Sequence, residues 1–438
     1  MLQRRLALGF ALALVGACLA NGASLYLRRI GVVDPDFHRA YLAAYCDPAA
    51  ALPCRCMDFE RAARLDSPPS RESLGQVRPA EHALRMLKDG LFAAFVLISL
   101  LLVRRDPGAR ATLRTSGPLP WFALSLLVAA AIAVFDHGAL LALIGLRPFA
   151  FLAVAAIGLW MAAQMKQVAA LLPWLLAIEV LLVGVEYLHG LPMRRGPHSF
   201  RAVGSFVLPN SLGMASAVLV AFWATQAEST RAWPAVLLLA VALTLASGSA
   251  TAAFALLALA ALRLWRRPGT SRILVAGGAV AAALLFAALL PGWMSRPDLY
   301  DSVFAQGGRW QTLLAVLQQA SPREWLFGHG LGVGSNLANN LLSTPPSPIR
   351  LEPWQRFHAD ATPTALFVQL GLPGALLFYG LLAWATRQDA RSRPFYLVLI
   401  LVSLTVNIAE LFPVNFLLGL ALAHSLEIAR KPAGSVRT

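Results

Sequence analysis

Apolar runs closed by arginine, proline or glycine follow one another from Leu6 to Leu426. A helix needs about 20 apolar residues to cross a bilayer, and on that measure the pattern predicts about twelve spans. They lie near residues 6–27, 90–103, 120–135, 139–165, 168–188, 211–226, 233–246, 250–264, 273–290, 363–386, 395–411 and 414–428. Several are short and must borrow flanking residues. Only Ser247, Gly248 and Ser249 separate 233–246 from 250–264, so that pair is either a tight hairpin or one bent helix. The expected fold is all-α and polytopic, with residues 1–438 forming a single membrane domain and no soluble one. No internal repeat is visible, so the repeat logic of many secondary transporters finds no support.

Three polar stretches interrupt the pattern: 28–89, 189–210 and 291–362. The first is broken by Pro68 and Pro69 and is expected to hold a short amphipathic helix near Glu81–Lys88. The longest opens at Pro291-Gly292. Trp310–Gln319 has helical period, with Leu313, Leu314 and Leu317 on one side. A glycine-rich run follows from Gly328 to Gly334, and then the non-helical Ser343–Pro348. So long a polar loop on one face suits chemistry there better than a simple channel or carrier.

Composition agrees: 58% of residues are hydrophobic and 13% are charged, against about 25% charged in soluble proteins. The net charge of +15 invites a nucleic-acid reading, but its placement argues against one. Arginines gather in short loops: Arg104, Arg105, Arg110 and Arg114; Arg263, Arg266, Arg267 and Arg272; Arg387, Arg391 and Arg393; and the terminal Arg430, Lys431 and Arg437. With twelve spans these clusters share one side with Arg4 and Arg5, and the positive-inside rule makes that side cytoplasmic. Both termini are then cytoplasmic, and the three polar stretches face outward from a bacterial inner membrane. The 28–89 stretch carries ten basic residues against this assignment, at a length where the rule weakens.

Cys18 lies in the first apolar run, and Cys46, Cys54 and Cys56 lie in the first polar loop. A disulfide from Cys46 to Cys54 or Cys56 suits an oxidising periplasm, and three unpaired thiols are the alternative. The first run is longer than a signal-peptide core and is expected to be a retained anchor.

Three blocks line up on the outward face. The first is Arg201-Ala202-Val203-Gly204-Ser205-Phe206-Val207-Leu208-Pro209-Asn210-Ser211-Leu212-Gly213, leading into a helix. The second is Gly308-Arg309-Trp310 with Trp325-Leu326-Phe327-Gly328-His329-Gly330-Leu331-Gly332. The third is His358-Ala359-Asp360, followed by Leu366–Gln369 and Leu370-Gly371-Leu372-Pro373-Gly374. Their order and spacing resemble the O-antigen ligase and polymerase superfamily, although Ala359 stands where that family usually has asparagine. The resemblance implies a C-type glycosyltransferase-like fold. It also implies inverting transfer of a glycan from an undecaprenyl diphosphate carrier to a sugar hydroxyl, without metal, nucleotide or other cofactor.

Physical chemistry suits that reaction. Loss of a lipid-linked diphosphate needs cations where negative charge grows, and the guanidinium fork pairs with phosphate oxygens. Arg309 is the expected catalytic arginine. Arg201, Arg147, Asn210, Arg195 and His329 are the expected substrate-binding residues. Headgroup anchoring is the other reading of Arg201, a helix cap that of Arg309, a local pairing, for instance with Glu186, that of Arg147, and a solvated pair that of Arg194 and Arg195. His358 is the expected base, since an imidazole near pKa 6.5 can take the proton of an attacking hydroxyl. His329 competes for that role, and His198 does so more weakly. The Gly328–Gly334 run follows no strand of a βαβ unit and is expected to be a tight turn rather than a nucleotide loop. His198, His329 and His358 are scattered, and Asp298 with Asp301 gives no metal-ligand spacing. Glu179 and Glu186, seven apart on one helix face, are either a proton path or cavity lining.

Lipid A–core is the expected acceptor for a ligase and a growing glycan that for a polymerase. A lipid-linked glycan transporter is the reading from another class. Membrane lipids, a donor flippase and a chain-length regulator fit as partners; nucleic acid does not. Reporter fusions test the topology. A fusion after Arg430 is expected to be active in the cytoplasm and one after Ser347 in the periplasm; both reporting one side overturns the assignment.

Overall fold

The structure is a computed structural model that describes residues 8–9, 12–20, 79–161, 165–188, 193–194, 200–206, 209–226, 231–266, 271–293, 309–335, 338 and 359–430. Residues 12–20 are helical, with Leu14, Ala17 and Cys18 buried. Cys46, Cys54 and Cys56 lie outside the described residues.

The remaining helices are α1 (Pro79–Arg105), α2 (Pro107–Thr115), α3 (Leu119–Asp136), α4 (Ala139–Leu146), α5 (Phe151–Met161) and α6 (Met165–Leu188). They continue as α7 (Pro209–Gln226), α8 (Trp233–Ser247), α9 (Ala250–Trp265), α10 (Arg272–Trp293), α11 (Arg309–Gln319) and α12 (Pro322–Phe327). The last three are α13 (Thr362–Gln388), α14 (Arg393–Ser403) and α15 (Val414–Arg430). A short antiparallel pair joins β1 (Met193–Arg194) to β2 (Phe200–Arg201).

Five stretches among the described residues are long and apolar enough to cross a membrane: Leu119–Asp136, Ala139–Trp160, Met165–Leu188, Arg272–Leu289 and Thr362–Gln388. Trp233–Ser247, Ala250–Trp265 and Arg393–Ser403 are shorter apolar helices. The apolar window of α10 buries none of its residues in the protein; a helix with that surface needs lipid around it.

Some boundaries differ from the sequence expectation. The helix expected near Glu81–Lys88 is the first part of α1, which runs unbroken into the apolar stretch because Gly90 alone does not end it. The break expected at Pro291-Gly292 comes later, both residues falling in the last turn of α10. Residues 233–265 form two helices: Gly248 takes φ +58 and its N–H bonds back to Thr244 O and Leu245 O, a left-handed stop. The span expected at 395–411 ends at Ser403, and residues 404–413 are irregular.

The packing divides into two compact units. One comprises Met1–Ala93 and Lys166–Asp298, where α7 packs against α8 and α9, and α9 against α10. The other comprises Ala94–Met165 and Leu299–Thr438, where α15 packs along α5, and α13 packs on α3, α12 and α14. Phe122, Phe149, Phe151 and Phe378 form an aromatic cluster in this second core.

The second unit also holds residues 328–335. Gly328, Gly330, Gly332 and Gly334 all have positive φ, from +71 to +100. A Cβ on Gly330 would meet Ala133 N at 2.9 Å, so the segment lies against α3 with no room for a side chain. Gly330→Ala is therefore expected to lower the unfolding temperature, the left-handed backbone alone costing about 1–3 kcal/mol. Gly278→Ala, in open space on α10, is the control and should not destabilise. Equal melting of the two variants would count against the close approach.

Candidate functional site

Two constructions carry the residues singled out by sequence, one in each unit.

In the second unit, the glycine run threads between helices as irregular backbone, and several of its amides bond to neighbouring elements. His329 N donates to Val368 O at 2.7 Å and Leu331 N to Ala129 O at 3.1 Å. Gly332 N donates to Gln369 Oε1 at 3.3 Å. Val368 O is available because α13 breaks at Gly371, where φ is +69 and ψ −177. The break removes the next-turn donor, and His329 N–H replaces it. Gly371 and Gly328 also let the two backbones approach, since a Cβ on either would meet main-chain atoms of the other segment at 2.6 Å. Gly145 of α4 lies against Leu331 and Gly332 in the same way.

This segment gathers other elements around it. Leu141, Ile144, Val333, Ala338 and Val368 form a buried cluster, and Val316 of α11 packs against it. Arg309, half-buried, opens α11. Arg147 follows α4 at the head of a 3-10 turn, Arg147–Ala150, within the Ala139–Trp160 span and half-buried there. Ala359 N donates to Gly334 O at 2.9 Å, so the chain re-enters beside the glycine run. Thr362 then fixes the start of α13: its N and Oγ1 donate to Val406 O at 3.2 and 2.7 Å, and Oγ1 accepts from Ile408 N at 3.0 Å. His358 itself lies outside the described residues, and Asp360 is exposed.

His329 is buried, and its Nδ1 donates to Glu324 Oε1 at 3.1 Å. Its carbonyl accepts from His137 Nε2 at 3.0 Å, which fixes the His137 tautomer as Nε2–H. Glu324 closes a capping box with Ser321 at the start of α12. Burial pushes the His329 imidazole below its ordinary value; the Glu324 carboxylate pulls it upward and His137 pushes it down.

In the first unit, β2 brings Arg201 to the C-terminus of α8. Its Nε donates to Ser247 O at 2.7 Å and its Nη2 to Gly248 O at 3.3 Å. Nη2 also donates to Asn210 Oδ1, and Ala202 N to Ala246 O at 2.9 Å. Arg201 is 1% exposed, and its guanidinium sits at the negative end of a helix, where a cation is stabilised. Arg201 and Asn210 are thus bonded to each other and to α8. Two carboxylates of α6 hold the turn that follows: Glu186 Oε2 accepts from Val203 N and Glu179 Oε2 from Ser205 N, each at 2.9 Å. Ser205 Oγ donates to Glu179 Oε1.

The structure therefore puts Arg147, Arg309, His329 and the neighbour of His358 in one unit, and Arg201 with Asn210 in the other. Arg195 and His198 lie outside the described residues. No group of three or more His, Cys, Asp or Glu side chains that could hold a metal occurs among the described residues. Sequence reasoning gave no part to Glu324, although the Ser321-x-x-Glu324 spacing is a visible capping-box signal. It also missed Gln369 and Thr362 as bonding partners, which no local pattern marks.

This architecture defines a polytopic helical membrane protein with a buried, glycine-rich irregular segment. Residues 233–379, about a third of the chain, match the family described as O-Antigen ligase. The match takes in the 307–374 blocks, with Arg309, His329 and His358, and leaves out the 201–213 block. No curated protein matches the chain. The match supports a general enzyme role in a membrane context.

The His329 environment has a measurable consequence. A histidine whose folded pKa is depressed binds fewer protons than in the unfolded chain, so stability falls as pH drops below about 6.5. His329→Gln is expected to flatten that acid-side fall in melting temperature. An unchanged pH profile in the variant would show that the imidazole is not shielded.

Proposed function

We propose that the chain is an inverting glycosyltransferase that moves a polysaccharide from undecaprenyl diphosphate to a sugar hydroxyl of lipid A–core at the periplasmic face. The observation that carries this reading is the family match over 233–379, which encloses Arg309, the glycine run and His358. The Ala359 amide bonded to Gly334 O supports it, because it ties the first described residue after the 291–362 loop's histidine block to the buried segment. We adopt the sequence topology for this reading: about twelve spans, both termini cytoplasmic, and the 291–362 loop outside.

In the proposed step, His358 takes the proton of the acceptor hydroxyl as its oxygen attacks the anomeric carbon. The bond from that carbon to the diphosphate oxygen breaks, and the electron pair leaves with the diphosphate. Arg309 neutralises the growing charge, while Arg147, Arg195 and the Arg201–Asn210 pair hold the donor. His329 is a further substrate-binding residue in this reading. Its Nδ1 contact with Glu324 supports a second reading, in which His329 is the base.

A polymerase that extends carrier-linked chains would use the same donor chemistry. The products separate the two: loss of a ligase leaves long chains on the carrier, and loss of a polymerase leaves single repeats. His358→Ala and Arg309→Ala, made at normal levels, are each expected to reduce surface glycan transfer by at least about 100-fold, the scale of a lost general base or charge donor. Loss in His329→Ala but not His358→Ala exchanges the base assignment. Intact surface glycan in all three variants removes the enzyme reading.

A further inference from the structure

We infer that Glu179 and Glu186 are positioning residues that set the 201–206 turn for donor binding. The inference rests on the proposed reaction for its purpose, though not for its geometry. Both carboxylates are buried on α6, with exposures of 0% and 2%. Seven residues separate them, about two helical turns, and this spacing matches two successive contacts on the turn, Val203 N and Ser205 N. Glu179 takes both donors of Ser205, its amide and its hydroxyl. Gly204, between the contacts, has φ +53, and a Cβ there would collide with Glu179 Oε2. The chain therefore lies against the carboxylate at that point, which requires glycine.

The other end of the turn is tied separately. Arg201 is bonded to Ser247 O, Gly248 O and Asn210, and Ala202 N to Ala246 O. Apolar packing could hold such a segment without burying carboxylates, which is costly. Carboxylates fix the directions of amide groups as well as the position of the chain, and a turn that must present Arg201 and Asn210 in one register needs that. Neither a proton path nor passive lining explains why each glutamate accepts a backbone N–H of the same turn.

The test is amide hydrogen exchange on the full-length purified protein, with donor kinetics alongside. Glu179→Ala should speed exchange at Ser205, and Glu186→Ala at Val203, by about ten-fold, the equivalent of one lost hydrogen bond. Exchange within α7 should stay as in the parent. KM for the lipid-linked donor should rise by about ten-fold with kcat nearly unchanged, the signature of lost binding rather than lost chemistry. Glu179→Gln keeps one acceptor and should restore most of the protection and affinity. If the alanine variants do not accumulate, Ser205→Ala removes one bond to Glu179 and should show the same direction at smaller size. Unchanged exchange at 203 and 205 overturns the clamp. Faster exchange with an unchanged donor KM overturns its positioning role. Absence of transfer by the parent protein refutes the proposed reaction, and the exchange experiment still decides the clamp.

Discussion

A backbone amide buried away from water must be paired, and in this protein the requirement falls on an irregular segment packed among helices. Residues 328–335 borrow three acceptors from neighbouring elements: Val368 O, Ala129 O and Gln369 Oε1. Neighbouring elements make room for these contacts. α13 opens at Gly371, and α3 and α4 come within backbone contact of glycines that have no side chain to keep them away. The cluster of Leu141, Ile144, Val333 and Val368 forms over the same contacts. Breaking α13 thus supplies both an acceptor and the space to use it.

The first unit meets the analogous problem with charge. The turn after β2 is tied by a guanidinium at one end and two carboxylates at the other. Arg201 takes up the last carbonyls of α8, which a membrane helix cannot leave to water. The α8–α9 hairpin, turned at Gly248, is therefore also an anchor for the arginine.

Much of this was legible beforehand. Helices α3, α7, α8, α9, α11 and α15 fall within a few residues of the expected apolar or amphipathic runs, because hydrophobic length and period are local properties. The glycine run was expected to turn, and it does. The α1 start, the end of α10 and the early stop of α14 were not, since single glycines and prolines end a helix only when the surroundings provide another partner. Arg201 donates to Ser247 O, Gly248 O and Asn210 Oδ1; a sequence shows that an arginine is present but not which acceptors surround it.

Taken alone, the sequence determined the membrane class, the placement of most helices and the family blocks, all carried by apolar length and residue order along the chain. Tertiary structure decided what the polar groups do. The pairing of Glu179 and Glu186 with one turn, of His329 with Glu324, and of the glycine amides with α3 and α13 joins residues that are mostly tens of positions apart. Such bonds depend on distances in space, and no periodicity in the chain encodes them.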